Sequence, residues 1–165
     1  MTNSWAVPPS RPALETALPA LLKQLKLAQF RSQWQAAEQQ ATADGWSPAS
    51  YLYVLAEQEH QQRHQARLRR LLHEAQLPVP KTLADIDWEA IPDLNRGQIE
   101  QLAHDCGWID RAENLLLFGP SGVGKTHLAA GICRSLMALD RSARFFTATT
   151  LVQELQRAKA DYALA

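Results

Sequence analysis

The sequence contains little cysteine and no long apolar run. Its two cysteines, Cys106 and Cys133, have neither C-x-x-C spacing nor the number needed for a disulfide framework, so free thiols in a reducing compartment are the simplest interpretation. Apolar runs are only a few residues long, whereas about 20 residues are needed to cross a bilayer. The N-terminus lacks the basic start and apolar core of a signal peptide. We therefore expect a cytoplasmic protein with no membrane partner.

The chain also lacks a net charge. Lys and Arg together number 17, as do Asp and Glu, which excludes the overall basic character of many nucleic-acid-binding proteins. The acidic residues are concentrated in 81–113, so local basic patches remain possible elsewhere. An apolar content of 46% suits a folded chain, and 165 residues permit one medium domain or two small ones.

A glycine-rich stretch is the strongest motif. Residues 119–126, GPSGVGKT, match G-x-x-x-x-G-K-[ST] at every fixed position, between a short apolar run and a helical pattern. Glycines permit positive φ, so the loop can point its N–H groups into one concavity at a helix N-terminus, where an anion is favoured. The sequence therefore predicts a nucleoside triphosphate site formed by Gly119, Pro120, Ser121, Gly122, Val123, Gly124, Lys125, Thr126 and His127.

Three side chains of this stretch have individual predicted roles. Lys125 would reach the β- and γ-phosphates, and the Thr126 hydroxyl would ligate Mg²⁺. His127 would serve the start of the helix, because no nucleophile or carboxylate partner is evident nearby. The alternative interpretation is a glycine-rich β-turn that carries a surface lysine.

The N-terminal half is predicted to be helical. Residues 1–18 read as a disordered lead-in and residues 19–78 as a helical domain. Apolar residues at helical spacing predict a helix from Pro19 to about Ala43, with two shorter helices as the alternative if the chain breaks near Leu27. Ser47 and Pro48 then predict the start of a long helix that ends near Gln76.

A row of arginines lies on the long helix. Arg63, Arg67 and Arg70 are spaced i, i+4, i+7 and share one face. Such a stripe could contact DNA phosphates, and the alternative is a solvated basic face.

Residues 79–165 predict the first part of a P-loop domain. We expect an extended acidic segment, a short helix over 95–104 capped by Asn95, and then the order strand, P-loop, helix, strand, helix. The strands would cover 114–118 and 143–148, the helix between them would run from Lys125 to about Leu139, and Thr150 with Gln153 would cap the last helix, 151–164. The predicted fold class is α/β with an incomplete sheet. Trp88 or Trp108 would either stack on adenine or belong to the core.

The carboxylates needed for ATP hydrolysis are missing from the expected place. An ATPase needs one carboxylate for Mg²⁺ and an acidic group for the attacking water, and both usually follow an apolar strand. After Thr126 the acids are Asp140, Glu154 and Asp161, and none ends an apolar run. We expect the chain to stop before its catalytic half, to lack catalytic residues and to be inactive alone.

Together these residues resemble the IstB-like ATP-binding proteins, AAA+ helper ATPases of insertion-sequence transposition that are related to the DnaC helicase loader. The resemblance is carried by five segments: residues 119–129, GPSGVGKTHLA; residues 144–147, RFFT; residues 21–25, LLKQL; residues 81–87, KTLADID; and residues 111–114, RAEN.

The resemblance implies a helical DNA-contacting domain and an AAA+ module that assembles on DNA and cooperates with the transposase of the same insertion sequence. It implies ATP and Mg²⁺ as cofactors and favours DNA contact by the arginine stripe. This chain departs from the pattern because the Walker B, sensor and arginine-finger positions have no counterpart, which indicates a truncated form. The alternatives are a non-catalytic module that binds DNA or a protein partner, and a small-molecule P-loop kinase.

Overall fold

The computed structural model describes residues 7–163, with side chains up to Asp161, and in this part of the chain it is helical without any strand. The chain divides into two compact units, Met1–Ala66 and Arg67–Ala165. The described helices are α1 (Arg11–Gln24), α2 (Ala28–Ala43), α3 (Pro48–Ala75), α4 (Arg96–His104), α5 (Gly107–Asp110), α6 (Lys125–Ala138) and α7 (Ala148–Ala163), with a 3₁₀ turn at Leu83–Asp85.

The first unit packs α1, α2 and the start of α3 around three buried side chains, Leu22, Trp34 and Leu55. The interruption near Leu27 is present, so the two-helix alternative is confirmed: α1 ends at Gln24 and α2 begins at Ala28, with Lys26 at a φ of 57° between them. The N-terminal helix begins at Arg11, inside the stretch expected to be a disordered lead-in, while residues 1–6 lie outside the described residues.

A buried carboxylate joins α3 to the start of α2. Glu59 is 6% exposed, and its Oε2 accepts a hydrogen bond of 2.8 Å from the backbone N–H of Gln29. Its Oε1 accepts a hydrogen bond of 2.7 Å from Nε of Arg63. Leu27, the residue before α2, has no capping side chain, so Glu59 satisfies an N–H group that the helix leaves unpaired. The carboxylate also lies where the helix dipole favours negative charge.

The second unit is built around α6. One face of this helix contributes Leu128, Ile132 and Leu136, which pack against Ile99 and Ala103 of α4. A neighbouring cluster joins Met137 to Leu71 and Ala75 near the end of α3. Partly buried side chains from outside the helices, including Ile86, Leu115 and Leu117, also pack against this core.

The structure contradicts the predicted α/β fold with an incomplete sheet. Residues 114–118 and 143–148, which the sequence predicts to be strands, have no strand hydrogen-bonding in the described chain. The alternating pattern of 114–118 does place Leu115 and Leu117 against the core and leaves Leu116 and Phe118 exposed. A strand, however, also needs a neighbouring backbone for its N–H and C=O groups. In the second segment, the N–H of Phe145 donates instead to the carbonyl of Ala75, at 2.8 Å.

The two predicted helix caps have different outcomes. Asn95 caps α4 as predicted, since its Oδ1 accepts a hydrogen bond from the N–H of Gln98 at 3.0 Å. The predicted cap of the last helix was wrong: Thr147 is the capping side chain and accepts from the N–H of Thr150 at 3.1 Å, so α7 begins three residues earlier. Both residues are threonines spaced by one helical turn, which is why the sequence pattern does not separate them.

Candidate functional site

The glycine-rich loop ends at the N-terminus of α6, as predicted. Gly122 and Gly124 have φ values of 85° and 88°, a conformation that side-chain-bearing residues rarely adopt, and Gly124 is the residue that precedes the helix. The helix that follows has 14 residues, long enough for a helix dipole to favour an anion at this end. The loop therefore has a backbone conformation that favours glycine at these two positions.

The side chain of Lys125 bends back over the loop. Its Nζ donates a hydrogen bond of 2.8 Å to the carbonyl oxygen of Gly119 and a second, shorter one to the carbonyl oxygen of Pro120. Thr126, in the first turn of α6, is exposed. The ammonium group thus lies on the loop itself, with neutral partners that a phosphate oxygen could replace.

A cleft of about 760 Å³ lies beside the loop. Its second side is residues 86–94, which we call the cleft wall. The wall contributes two carboxylates, Asp87 and Asp93, and an apolar surface formed by Ile86, Ala90, Ile91, Pro92 and Leu94. The loop side includes Gly119, Pro120, Gly122, Val123, Gly124, Lys125 and His127. This volume lies within the range of small-molecule sites, which are mostly apolar with a few polar groups.

Neither tryptophan considered for adenine stacking lines this cleft. Trp88 packs against the α4–α6 core, and the guanidinium of Arg96 lies 5.5 Å from its ring centroid. Trp108 also packs there, and its Nε1 donates to the carbonyl of Leu102 at 3.0 Å. Sequence reasoning did not find the aliphatic residues of the cleft wall, whose only signal was their alternation with acids in 86–94.

His127 connects the start of α6 to the segment that precedes the wall. Its Nε2 donates to the carbonyl oxygen of Thr82 at 3.0 Å. The Asp85 carboxylate accepts hydrogen bonds from the backbone N–H and the hydroxyl of Thr82, at 2.7 and 2.8 Å. These bonds lower the pKa of Asp85, and the nearby His127 and Lys81 lower it further.

The three arginines of the predicted stripe all have acidic partners. Arg63 pairs with Glu59 and also donates to the carbonyl of Lys26 at 2.7 Å. Arg67 pairs with Asp140, with 3.0 Å between Nε and Oδ1. Arg70 is 3.7 Å from Glu74, and its side chain is 68% exposed, the largest value of the three. Arg63 and Arg67 therefore have structural contacts, whereas Arg70 is the most available.

The described residues offer neither a metal cluster nor a membrane span. Within 7–163, no group of three or more His, Cys, Asp or Glu side chains is arranged to hold a metal ion. In the same part of the chain, no helix has both the length and the apolar character needed to span a bilayer. Burial raises the pKa of the Cys133 thiol, which makes this cysteine a poor nucleophile.

The glycine-rich loop leads into a long helix, and Lys125 is the first residue of that helix. The comparison with known families identifies the chain more closely. The chain belongs to the family of IstB-like ATP binding proteins, whose model matches residues 20–165.

Several curated relatives agree with this assignment. The chain is 37% identical to an insertion sequence ATP-binding protein of Sinorhizobium fredii over 91% of this chain and 50% of that protein. It is 34% identical to the IS5376 ATP-binding protein of Geobacillus stearothermophilus, over 81% of this chain and 53% of the relative. It is 33% identical to the IS21 ATP-binding protein of Pseudomonas aeruginosa, over 87% of this chain and 54% of that protein. The chain spans about half the length of these relatives.

Proposed function

We propose that this chain binds ATP through residues 119–127 and acts as a helper in DNA transposition. The observation that carries the proposal is the loop at the start of α6, whose glycines have positive φ and whose Lys125 lies over the loop, inside the segment that matches the family. Family membership supports the choice of ATP, and the relatives' names supply the connection to insertion sequences.

The cleft suggests how a nucleotide would lie. The triphosphate would bind the loop N–H groups, and Lys125 would exchange the carbonyls of Gly119 and Pro120 for phosphate oxygens. Thr126 is exposed and could ligate Mg²⁺ together with the phosphates, since Mg²⁺ is usually held by few protein ligands. The base would lie against the apolar side chains of the cleft wall, not against a tryptophan.

Replacing the loop lysine tests the ATP site. Lys125→Ala should weaken ATP binding about ten- to a hundredfold, because a charge-assisted hydrogen bond contributes about 1.5–3 kcal/mol. Isothermal titration calorimetry with Mg²⁺ and ATP measures the effect. Lys159→Ala, on exposed α7, is the matched control and should leave the affinity unchanged. If wild type and Lys125→Ala bind ATP with equal affinity, the loop does not form the ATP site.

We further propose that the 165-residue chain does not hydrolyse ATP. Of the acids after Thr126, Asp140 pairs with Arg67, and Glu154 and Asp161 are exposed on α7. None of them lines the cleft beside the loop, and the two carboxylates that do line it, Asp87 and Asp93, lie on the cleft wall and precede the loop in the chain. Phosphate release from ATP should therefore equal the release from buffer, and turnover that Lys125→Ala abolishes would show that the chain supplies the missing carboxylate.

DNA contact through α3, together with assembly of copies on DNA and cooperation with a transposase, forms the remainder of the proposal. Arg63, Arg67 and Arg70 replaced together should flatten the salt dependence of DNA binding, by about 0.9 in slope for each phosphate that the variant no longer neutralises. Because Arg63 and Arg67 bond their partners more closely than Arg70 bonds Glu74, Arg70→Gln alone is the cleaner variant. Arg31→Gln, exposed on α2, is its control. If the triple variant leaves the salt dependence of DNA binding unchanged, the three arginines form a solvated face and do not contact DNA.

A further inference from the structure

We propose that His127 is a positioning residue that sets the place of the cleft wall relative to the phosphate loop. By placing the wall, His127 would determine how much the base and ribose add to the binding affinity of a nucleotide. The inference rests on the proposed ATP site. It states that a residue on the phosphate side of the cleft affects how tightly the base is bound.

The imidazole makes a bond between distant parts of the chain. Nε2 of His127 lies 3.0 Å from the carbonyl oxygen of Thr82, 45 residues earlier in the sequence. A carbonyl oxygen can only accept, so Nε2 must carry the hydrogen of this bond. His127 follows Lys125 by two residues, and the bond therefore links the segment that precedes the wall to the turn of helix that holds the loop lysine.

The next turn of α6 reinforces the same contact. Gly131 lies on the same face of α6 as His127, since the two are spaced i, i+4. A Cβ at Gly131 would lie 2.7 Å from Cδ2 and 3.1 Å from the backbone nitrogen of Leu83, so the 3₁₀ turn lies directly on the helix there. Thr82 is thus fixed by hydrogen bonding and Leu83 by close packing.

The wall begins immediately after this contact. Ile86 donates its N–H to the carbonyl of Leu83 at 3.4 Å, and it is also the first residue that lines the cleft. The Asp85 carboxylate closes the turn by accepting both donors of Thr82. Ile86, Trp88 and Leu94 pack against the core, which holds the wall inward. The bond from His127 additionally fixes the start of this segment at one position along α6, next to the loop.

The experiment compares ATP with inorganic tripolyphosphate, which carries the phosphates without base or ribose. Calorimetry with Mg²⁺ gives both dissociation constants for wild type, His127→Ala and His127→Gln. We expect His127→Ala to weaken ATP binding about three- to tenfold, the equivalent of one neutral hydrogen bond, and to change tripolyphosphate binding less than about twofold. His127→Gln should restore ATP binding, because its side-chain amide can donate to the carbonyl of Thr82.

A second measurement needs no ligand. Hydrogen exchange of the free protein should quicken at residues 82–91 in His127→Ala and return towards wild type in His127→Gln. His104→Ala is the matched control, because this exposed histidine of α4 also bonds a carbonyl, that of Glu100, away from the cleft. It should alter neither measurement.

The outcomes separate this inference from the proposed ATP site. Equal weakening of ATP and tripolyphosphate by His127→Ala, or unchanged exchange at 82–91, would overturn the positioning role while the ATP site stands. The same conclusion follows if wild type binds both ligands equally, since the wall then contributes nothing. Failure of wild type to bind either ligand would overturn the proposed ATP site and this inference with it.

Discussion

The buried carboxylate of Glu59 offers the sharpest test of the first unit. The perturbation is Glu59→Ala, which removes the acceptor that α3 supplies to the start of α2. The variant loses the bond to the N–H of Gln29, at 2.8 Å, and the bond from Arg63, at 2.7 Å. Leu27 cannot replace it, because an aliphatic residue before a helix offers no side-chain acceptor.

The expected magnitude follows from these contacts. Loss of a helix cap costs about 1 kcal/mol, and loss of a hydrogen bond to a charged group about 1.5–3 kcal/mol. Arg63 is 57% exposed, so its charge is solvated after the substitution and the larger penalty for a stranded buried charge does not apply. We therefore expect a loss of about 2–3 kcal/mol in the unfolding free energy of this unit. Glu59→Gln keeps one acceptor oxygen and should lose about half as much.

Native-state hydrogen exchange at the α2 amides is the suitable assay, because it reports the opening of one unit even when the two units unfold separately. Exchange should quicken about 30- to 150-fold in Glu59→Ala. Glu57→Ala is the control: its carboxylate accepts an exposed hydrogen bond of 2.9 Å from Gln61 of the same helix, so the change should stay below about 0.5 kcal/mol. Equal effects of the two variants would refute the capping role of Glu59.

Acid should have a related effect. Burial alone raises the pKa of Glu59, but the bonds from Arg63 and from the backbone of Gln29 and Phe30 outweigh it and leave the pKa lowered. A lowered pKa means that the stabilisation is complete above about pH 4.3, the unfolded value, and is lost as the pH falls through the folded value. Asp85 should behave likewise below about pH 3.9, and a carboxyl NMR titration with a normal midpoint would contradict its bonds to Thr82. Finally, Gly131→Ala should lower thermal stability, because overpacking against Leu83 costs about 1–3 kcal/mol and exceeds the helix-propensity gain of up to about 1 kcal/mol. Gly97→Ala in α4 is the control and should not lower thermal stability, because a Cβ there would meet only Asn95, at 3.4 Å.

The arginines show where local sequence patterns stop being informative. Their spacing correctly places Arg63, Arg67 and Arg70 on one helix, but two of their partners come from elsewhere in the chain: Lys26 contributes a carbonyl to Arg63 and Asp140 a carboxylate to Arg67. Helical periodicity relates residues that are three or four positions apart, and it carries no information about contacts across dozens of residues. The DNA-contact hypothesis therefore needs the salt-dependence experiment.

Local chemistry was sufficient for the elements that depend on it. The glycine-rich loop, the first residue of α6, the cap at Asn95 and the start of α3 all follow from backbone preferences within a few residues. The family assignment follows in the same way, because it depends on the order of residues along the chain. For these features the sequence alone was decisive.

Tertiary structure decided everything that needs a partner far along the chain. Residues 114–118 have the alternation of a strand, yet a strand exists only when another backbone accepts and donates its hydrogen bonds, and the described chain pairs no other strand with this segment. The same reason explains the cleft wall and the bond between His127 and Thr82, which bring separate segments together beside the loop. Backbone preference is a property of neighbouring residues, whereas a binding cleft is a property of the packing between segments.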